Sequence, residues 1–191
     1  DDIWPLLDAL GDKRSSYLIE QTIPGETYHV DTIVSERQVV FVEAHKHRLN
    51  LLKSREEGGR IATRTVLRGS DEERDLIAAN AAVCDAFGLV RGIMHTEFVS
   101  SAQDGKMYLL ETASRPGGAF VTDLVEASTG IDLWTEWADL EIGAGRELHT
   151  VARARADYAG NIISPLRTFD ADLSDYNDPE VGLRKIGNFN G

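Results

Sequence analysis

The chain has 191 residues, of which 42% are apolar and 27% charged, a composition typical of soluble globular proteins. Twenty Lys and Arg against 32 Asp and Glu give a net charge of −12, which argues against nucleic-acid or anionic membrane partners. The single cysteine, Cys84, excludes an internal disulfide and a cysteine zinc site. Apolar runs are too short to span a membrane and the first residues are acidic, so we expect a cytoplasmic protein without a signal peptide.

The first part of the chain predicts a helix followed by strands. In chain order these are a helix over 3–10 and strands over 17–23, 28–34 and 37–44. The third of these strands is joined to the second by a link short enough for a hairpin. Alternation over 28–34 places Tyr28 and Val30 on one face and His29 and Asp31 on the other.

The basic stretch 45–67 lacks a sustained apolar face and contains Gly58 and Gly59. We therefore predict a mobile loop or broken helix, because long loops of this kind often form lids. Its His45 and His47 are expected to be exposed, with substrate contact as the alternative.

The second part predicts helices and strands in alternation. Ser70 and Glu73 form a capping box, and the helix that follows carries Cys84 on its apolar stripe, where we expect it to be buried. Further elements are strands over 91–100 and 106–112, helices over 121–128 and 132–142, strands over 149–157 and 162–169, and a polar tail to residue 191. The fold class predicted is α+β, with a mainly antiparallel sheet and flanking helices.

Two glutamates flank the hairpin turn at 103–105. A three-residue loop with Gly105 in the left-handed conformation would place Glu97 directly opposite Glu111 on one face of the sheet. A two-residue Asp104-Gly105 turn would place them on opposite faces, and the turn sequence alone does not decide between these registers. Directly opposed like charges destabilise a sheet, so the first register calls for a cation or a proton shared by the two carboxylates. Oxygen ligands at this spacing suit Mg²⁺.

The residues after Glu111 extend this pattern. Arg115 offers a planar cationic fork for a phosphate or carboxylate. Gly117 and Gly118 allow backbone N–H groups to approach an anion closely. Together with Glu97 and Glu111, these residues indicate an anion-plus-metal site.

Three separated motifs in the same order resemble the ATP-grasp superfamily, over about residues 17 to 143. That superfamily has a hinge reading roughly Glu-x-x-hydrophobic-x-Gly-x-Glu, then an acidic residue on a strand, then Glu-x-Asn-x-Arg-x-Gly-Gly. The corresponding residues here are Glu20 to Glu26 (EQTIPGE), Glu97, and Glu111 to Gly118 (ETASRPGG). Ala113 replaces the metal-binding Asn, as in the L-amino-acid ligase branch, which this sequence resembles more closely.

The resemblance implies a role for each matched position. The main chain at Glu20 and Ile23 would bind the adenine edge, and the Glu26 carboxylate would bind the ribose hydroxyls of ATP. Glu97 and Glu111 would hold Mg²⁺ (or Mn²⁺), with one metal site weakened by Ala113. Arg115 would stabilise the acyl-phosphate and the tetrahedral state that follows it. These roles come from the resemblance.

The same resemblance implies an ADP-forming carboxylate–amine ligase, such as an amino-acid or dipeptide ligase, that acts on small-molecule carboxylates and amines. The alternative is a degenerate or fragmentary module that binds nucleotide without catalysis. We expect residues 1–143 to form a partial nucleotide- and metal-binding region, and residues 144–191 a β-rich extension with an acidic tail. The N-terminal portion of the family fold, with its phosphate-binding lysines, is expected to be missing from this chain, and a homodimer is one candidate assembly.

Overall fold

The computed structural model describes residues 3–49, 54, 59–143 and 146–164. Its elements are α1 (Trp4–Leu10), a 3-10 helix (Gly11–Ser16), β1 (Gly25–Ser35), β2 (Gln38–His47), β3 (Ile61–Thr65), α2 (Asp71–Phe87), β4 (Gly92–Ser101), β5 (Met107–Ala113), α3 (Val121–Thr129), α4 (Leu133–Gly143) and β6 (Gly160–Ile163). The described strands form one antiparallel sheet in the order β5-β4-β1-β2-β3-β6. The predicted α+β class is therefore confirmed.

Strand β1 lies at the centre of the sheet. It pairs with β2 through a two-residue turn, Glu36-Arg37, in which both residues have positive φ, 48° and 64°. Such a turn matches the twist of the flanking strands. On its other side β1 pairs with β4, starting at Gly25, where a Cβ would lie 2.0 Å from the Ser100 carbonyl oxygen. Only glycine fits this close approach.

One face of the sheet packs on α2. Tyr28, Val30 and Phe98 are fully buried there against Leu76. Helix α2 begins as the capping box predicts, since the Ser70 side chain accepts a hydrogen bond from the Glu73 amide.

The prediction for the apolar stripe of α2 is confirmed at Cys84, which is buried in a small cluster with Val34 and Met94. Phe87, at the end of the same stripe, is 66% exposed. The apolar face of α2 is therefore in contact with the sheet for most of its length but not at its last residue.

The opposite face of the sheet is divided in two. At one end Ile33, Phe41 and Ile93 form an apolar core with α3 and α4. Leu133 and Leu140 of α4, whose helical spacing places them on one face of the helix, belong to this core. At the other end the same face carries polar side chains, beginning at Asp31, and this polar end includes the candidate site.

Three predicted segments differ from the structure. Residues 17–23 form no strand, because this stretch has no ladder partner in the described chain, and Leu18 is 80% exposed. Residues 149–157 form no strand either, since Arg155 and Asp157 donate their amides to carbonyls at the end of α3. A four-residue strand follows instead at β6, and residues 165–191 lie outside the described part.

The lid predicted over 45–67 is wrong at both ends. His45 belongs to β2 and is fully buried, and β3 occupies Ile61–Thr65. Val66, next to β3, is also fully buried. Residues 50–53 and 55–58 of this stretch lie outside the described residues. In the described chain, no helix combines the length and apolar character needed to cross a bilayer.

Candidate active site

The hairpin between β4 and β5 carries the two predicted metal ligands. Ser101 donates its amide to the Lys106 carbonyl at 2.9 Å, so four residues, 102–105, form the loop. Gly105 has φ 71°, in the left-handed conformation as predicted. The predicted three-residue loop is one residue too short, because the closing pair is Ser101 with Lys106.

A β-bulge restores the predicted pairing further along. Near the turn Phe98 pairs with Leu109, but the next pair is Glu97 with Glu111, which leaves Leu110 unpaired. The two glutamates are thus directly opposed on one face, as the first register requires. Glu97 is partly buried, with 20% of its side chain exposed, whereas Glu111 is exposed.

Glu97 stands at the end of a chain of polar contacts. The Asp31 carboxylate lies 2.8 Å from His95 Nδ1, and His95 Nε2 lies 3.7 Å from a Glu97 oxygen. Burial alone would lower the pKa of His95, but its contacts with the carboxylates of Asp31 and Glu97 raise that pKa to about 9. Burial likewise would raise the pKa of Glu97, but its contact with His95 lowers it below the ordinary value. Glu97 is therefore ionised at neutral pH.

The loop after β5 packs closely on this chain of contacts. A Cβ at Gly117 would lie 2.7 Å from His95 Nδ1 and 2.7 Å from a Val121 methyl group. A Cβ at Gly118 would have no heavy atom within 4 Å. Gly117 is thus required for packing against His95. The sequence had predicted only an anion contact for this glycine.

Arg115 lies in the same loop, between Glu111 and the two glycines. In the described chain its guanidinium donates one hydrogen bond, to the Pro116 carbonyl at 2.8 Å, and it has no carboxylate partner. Ala119 and Phe120, just before α3, both have positive φ, 52° and 60°. Such conformations cost roughly 1–3 kcal/mol each and are enriched at functional sites.

Glu26 is placed differently from the glutamate pair. Register puts Glu26 and Tyr28 on the face covered by α2, whereas His29 pairs with Glu97 on the opposite face. The Glu26 carboxylate is bound by Lys46 Nζ at 2.6 Å and by the Tyr28 hydroxyl at 3.1 Å. Glu26 is nevertheless 64% exposed, because it lies at the start of β1.

Lys46 and Tyr28 also bind Glu72 in the first turn of α2, at 2.9 and 2.5 Å. The network therefore ties the start of β1 to that helix.

Thr27, rather than Glu26, shares the face of the glutamate pair. In the pattern Gly-x-Glu, counted from Gly25, the acid would stand at position 27, so Glu26 comes one residue early. Thr27 is 3% exposed, and its hydroxyl oxygen is buried without a hydrogen-bond partner in the described chain. Glu20 is exposed and Ile23 partly exposed in the segment that leads into β1.

Sequence reasoning missed two groups of residues near the site. Asp31 and His29 were placed on one strand face by the alternation, but no role followed from it. Lys46 was not considered, although pairing of 28–34 with the next strand places it opposite Tyr28. In both cases the missing information is cross-strand pairing between residues far apart in sequence.

The chain is similar in sequence and in fold to proteins of known activity. The chain is similar to the L-arginine-specific L-amino acid ligase of Bacillus subtilis, with 25% identity over 146 residues, which cover 74% of this chain and 34% of that protein. The crystal structure of the L-amino acid ligase from Bacillus licheniformis matches with a TM-score of 0.62 and 21% identity, over 87% of this chain and 44% of the other. D-alanine–D-alanine ligase from Bacillus anthracis, complexed with ATP, matches with a TM-score of 0.51 and 14% identity, over 76% and 48%.

No family model matches the chain. The fold and these similarities support the resemblance to the ATP-grasp superfamily that the sequence motifs indicate. Within that superfamily its similarity is to the L-amino acid ligases, of which it spans about a third to a half. The resemblance stated from the sequence motifs is confirmed at this level.

Proposed function

We propose that the chain is part of an ADP-forming ligase that activates a carboxylate with ATP and joins it to an amine. The observation that carries this proposal is the pairing of Glu97 with Glu111 beside the loop of Arg115. The carboxylate oxygen of the acid attacks the γ-phosphorus, and ADP leaves. The amine then displaces phosphate from the acyl carbon and loses a proton.

The donor set at the hairpin suits a hard divalent cation. Two carboxylates on one face, one of them held ionised by its neighbour, are the oxygen ligands that Mg²⁺ accepts together with water and phosphate oxygens. Glu97 and Glu111 would hold Mg²⁺ or Mn²⁺, which when bound neutralises charge on the phosphates. Ala113 offers no ligand oxygen from its side chain, so these two carboxylates carry the protein's share of the binding.

Nucleotide contacts are proposed on both sides of this pair. Glu20 is exposed and Ile23 partly exposed, and their main chain is the candidate for contact with an adenine edge. The amides of Gly117 and Gly118 are candidates for phosphate contacts. Glu26 can bind ribose hydroxyls from the start of β1 only if its carboxylate gives up Lys46.

Competition between Lys46 and ribose gives a direct test of the Glu26 assignment. In the complete protein, Glu26→Gln should weaken ATP binding, and Lys46→Met should leave it unchanged or tighten it, because the carboxylate is released. Isothermal titration with a non-hydrolysable ATP analogue measures both. If Glu26→Gln binds the analogue as tightly as the wild type, the ribose contact must come from another residue on the face of Thr27.

Arg115 is proposed as the catalytic cation. Its guanidinium is not occupied by a carboxylate in the described chain, so it is available for the transferred phosphoryl group and for the oxyanion formed when the amine attacks. Its planar fork matches phosphate oxygens in a bidentate manner.

The substrate class follows from the relatives. Because two of the similar proteins are named as L-amino acid ligases, we propose an amino acid as the acid and an amino acid or other small amine as the acceptor. In this view residues 1–143 belong to the nucleotide- and metal-binding region and residues 144–191 to an extension. The assembly as a homodimer stays a proposal.

The test is ADP release by the complete protein with Mg²⁺, ATP and a panel of carboxylates and amines. Glu111→Gln should abolish ADP release that depends on both substrates. Glu126→Gln, an exposed glutamate on α3, is the matched control and should behave as the wild type. ATP binding with no ADP release across the panel would favour a binding module without catalysis.

A further inference from the structure

Three of the five histidines of the chain surround one buried carboxylate, on the face of the glutamate pair but deeper in the sheet. His29 pairs with His45 across β1 and β2, and Asp31 pairs with His95 across β1 and β4. Asp31 and His45 are 0% exposed, His29 is 1% and His95 is 7%. Three adjacent strands thus direct nitrogen and oxygen ligands at one point in the interior.

The distances from the Asp31 oxygens to three histidine nitrogens are close to the spacing of ligand atoms in a tetrahedral metal site. His29 Nδ1 and His95 Nδ1 lie 2.9 and 2.8 Å from the two oxygens of Asp31. His45 Nδ1 lies 4.0 Å from the nearer oxygen. With zinc–ligand bonds of about 2.0–2.1 Å, ligand atoms around tetrahedral zinc are about 3.3 Å apart. The three histidine nitrogens therefore lie within about 1 Å of this spacing from Asp31, and the ligand atoms of His29, Asp31 and His95 all lie within 4.8 Å of one another.

Unpartnered nitrogens give a second, independent observation. Both ring nitrogens of His45, and Nε2 of His29, are buried without a hydrogen-bond partner in the described chain. An unsatisfied buried polar atom costs about 1–3 kcal/mol, so the fold retains these rings against a clear penalty. In the described chain a ring nitrogen of His45 is therefore available as a ligand.

We propose that His29, Asp31, His45 and His95 bind a transition-metal ion of the Zn²⁺ class. Imidazole nitrogens favour Zn²⁺, Co²⁺, Ni²⁺ and Cu²⁺ over Mg²⁺. Each ligating nitrogen must be deprotonated to bind the ion, so binding would release to solvent the protons that the Nδ1 atoms of His29 and His95 share with Asp31. Because the ligands come from β1, β2 and β4, the ion cross-links the centre of the sheet. This site uses neither Glu97 nor Glu111 as a ligand, although His95 lies 3.7 Å from Glu97, and it does not depend on the proposed ligase activity.

Cobalt provides the probe, because tetrahedral Co²⁺ absorbs visible light far more strongly than octahedral Co²⁺. The full chain is first stripped with a chelator and then titrated with Co²⁺. We expect an intense visible band that saturates at one equivalent and is lost when Zn²⁺ is added, while Mg²⁺ in excess leaves it intact. With free Zn²⁺ at 100 times its Kd, the unfolding temperature should rise by about 5–11 °C.

Three variants locate the bound ion. His45→Leu should abolish the band, and it should fold because the imidazole of His45 makes no hydrogen bond that the change would remove. His149→Ala is the matched control, since the fifth histidine lies elsewhere, bound to Glu136, and the band should persist. Glu111→Gln should also keep the band, which separates this site from the glutamate pair.

Two results would overturn the proposal. One is a wild-type chain that binds no stoichiometric Co²⁺ and shows no Zn²⁺-dependent rise in unfolding temperature. The other is a band that survives His45→Leu or disappears in Glu111→Gln, because the ion would then occupy other ligands. Neither result bears on ADP release, which is measured with Mg²⁺ alone.

Discussion

Replacing Gly117 by alanine tests whether the loop after β5 is packed against His95. The added Cβ would lie 2.7 Å from His95 Nδ1, 2.9 Å from its Cε1 and 2.7 Å from a Val121 methyl group. His95 cannot retreat easily, because the ring is 7% exposed and its Nδ1 is bound to Asp31 at 2.8 Å. Either the loop or the ring must shift.

The expected loss of stability follows from these contacts. Overpacking of a well-packed interior typically costs about 1–3 kcal/mol. For a chain of this size each kcal/mol lowers the unfolding temperature by about 2–4 °C, so Gly117→Ala should lower it by about 2–12 °C. Gly118→Ala is the matched control: its Cβ would have no heavy atom within 4 Å, and its effect should stay within about 0.5 kcal/mol.

Urea denaturation of the full chain, followed by circular dichroism, measures both variants. A double-mutant cycle with His95→Ala adds a sharper criterion, because removal of the ring eliminates two of the three close contacts. Gly117→Ala should then cost less than in the wild-type background, with a coupling of roughly 0.5–3 kcal/mol. Equal stabilities for Gly117→Ala and Gly118→Ala, or additive effects in the cycle, would refute the packing argument.

Three further predictions concern catalysis, a buried ion pair and pH. In the complete protein, Arg115→Ala should lower turnover by about 10²–10³-fold with little change in ATP affinity. Arg115→Lys should recover part of the lost turnover, because lysine keeps the charge but not the planar fork. Normal turnover in the alanine variant would contradict the catalytic role of Arg115. Arg68 binds the buried carboxylate of Glu43 through two hydrogen bonds, at 2.8 and 2.9 Å. Arg68→Ala should therefore destabilise the fold by about 3–5 kcal/mol, because it leaves the buried carboxylate without its partner. A loss below about 1 kcal/mol in urea denaturation would contradict this role of Arg68. Burial lowers the pKa of His45 to about 3 and that of His47 to about 4, below the unfolded value near 6.5. The unfolded metal-free chain therefore binds more protons, and the free energy of unfolding should fall by up to about 2.7 kcal/mol for each pH unit as the pH is lowered from 6.5 to 4. A flat stability profile over that range would show that these rings are already protonated or solvated.

Local patterns predicted much of the fold. The capping box of α2, the alternation along β1 and the helical spacing in α4 each depend on residues close in sequence, and the structure confirms them. The strand expected over 17–23 was wrong because a strand needs a partner as well as apolar residues. The lid expected over 45–67 was wrong because His45 and its neighbours looked polar, and polarity is a poor guide where several polar residues are buried together.

The candidate site was only partly predictable for the same reason. Glu97, Glu111 and Arg115 were found because they belong to one hairpin and its following loop. Asp31 and Lys46 were missed because their partners, His95 and Glu26, lie 64 and 20 residues away. The face of each partner depends on register, and a shift of one residue reverses it.

The pairing of the two glutamates shows how sensitive the site is to such a shift. The four-residue loop sets a register in which Ser100 pairs with Met107. Continued without interruption, that register would place Glu97 opposite Leu110, and Glu111 would fall on the other face of the sheet. The extra residue of the bulge moves Glu111 into line with Glu97, and bulges of this kind are common next to active sites. The shared face of the carboxylates is therefore determined within β5 and not by the turn, which is why turn chemistry alone could not decide between the two registers.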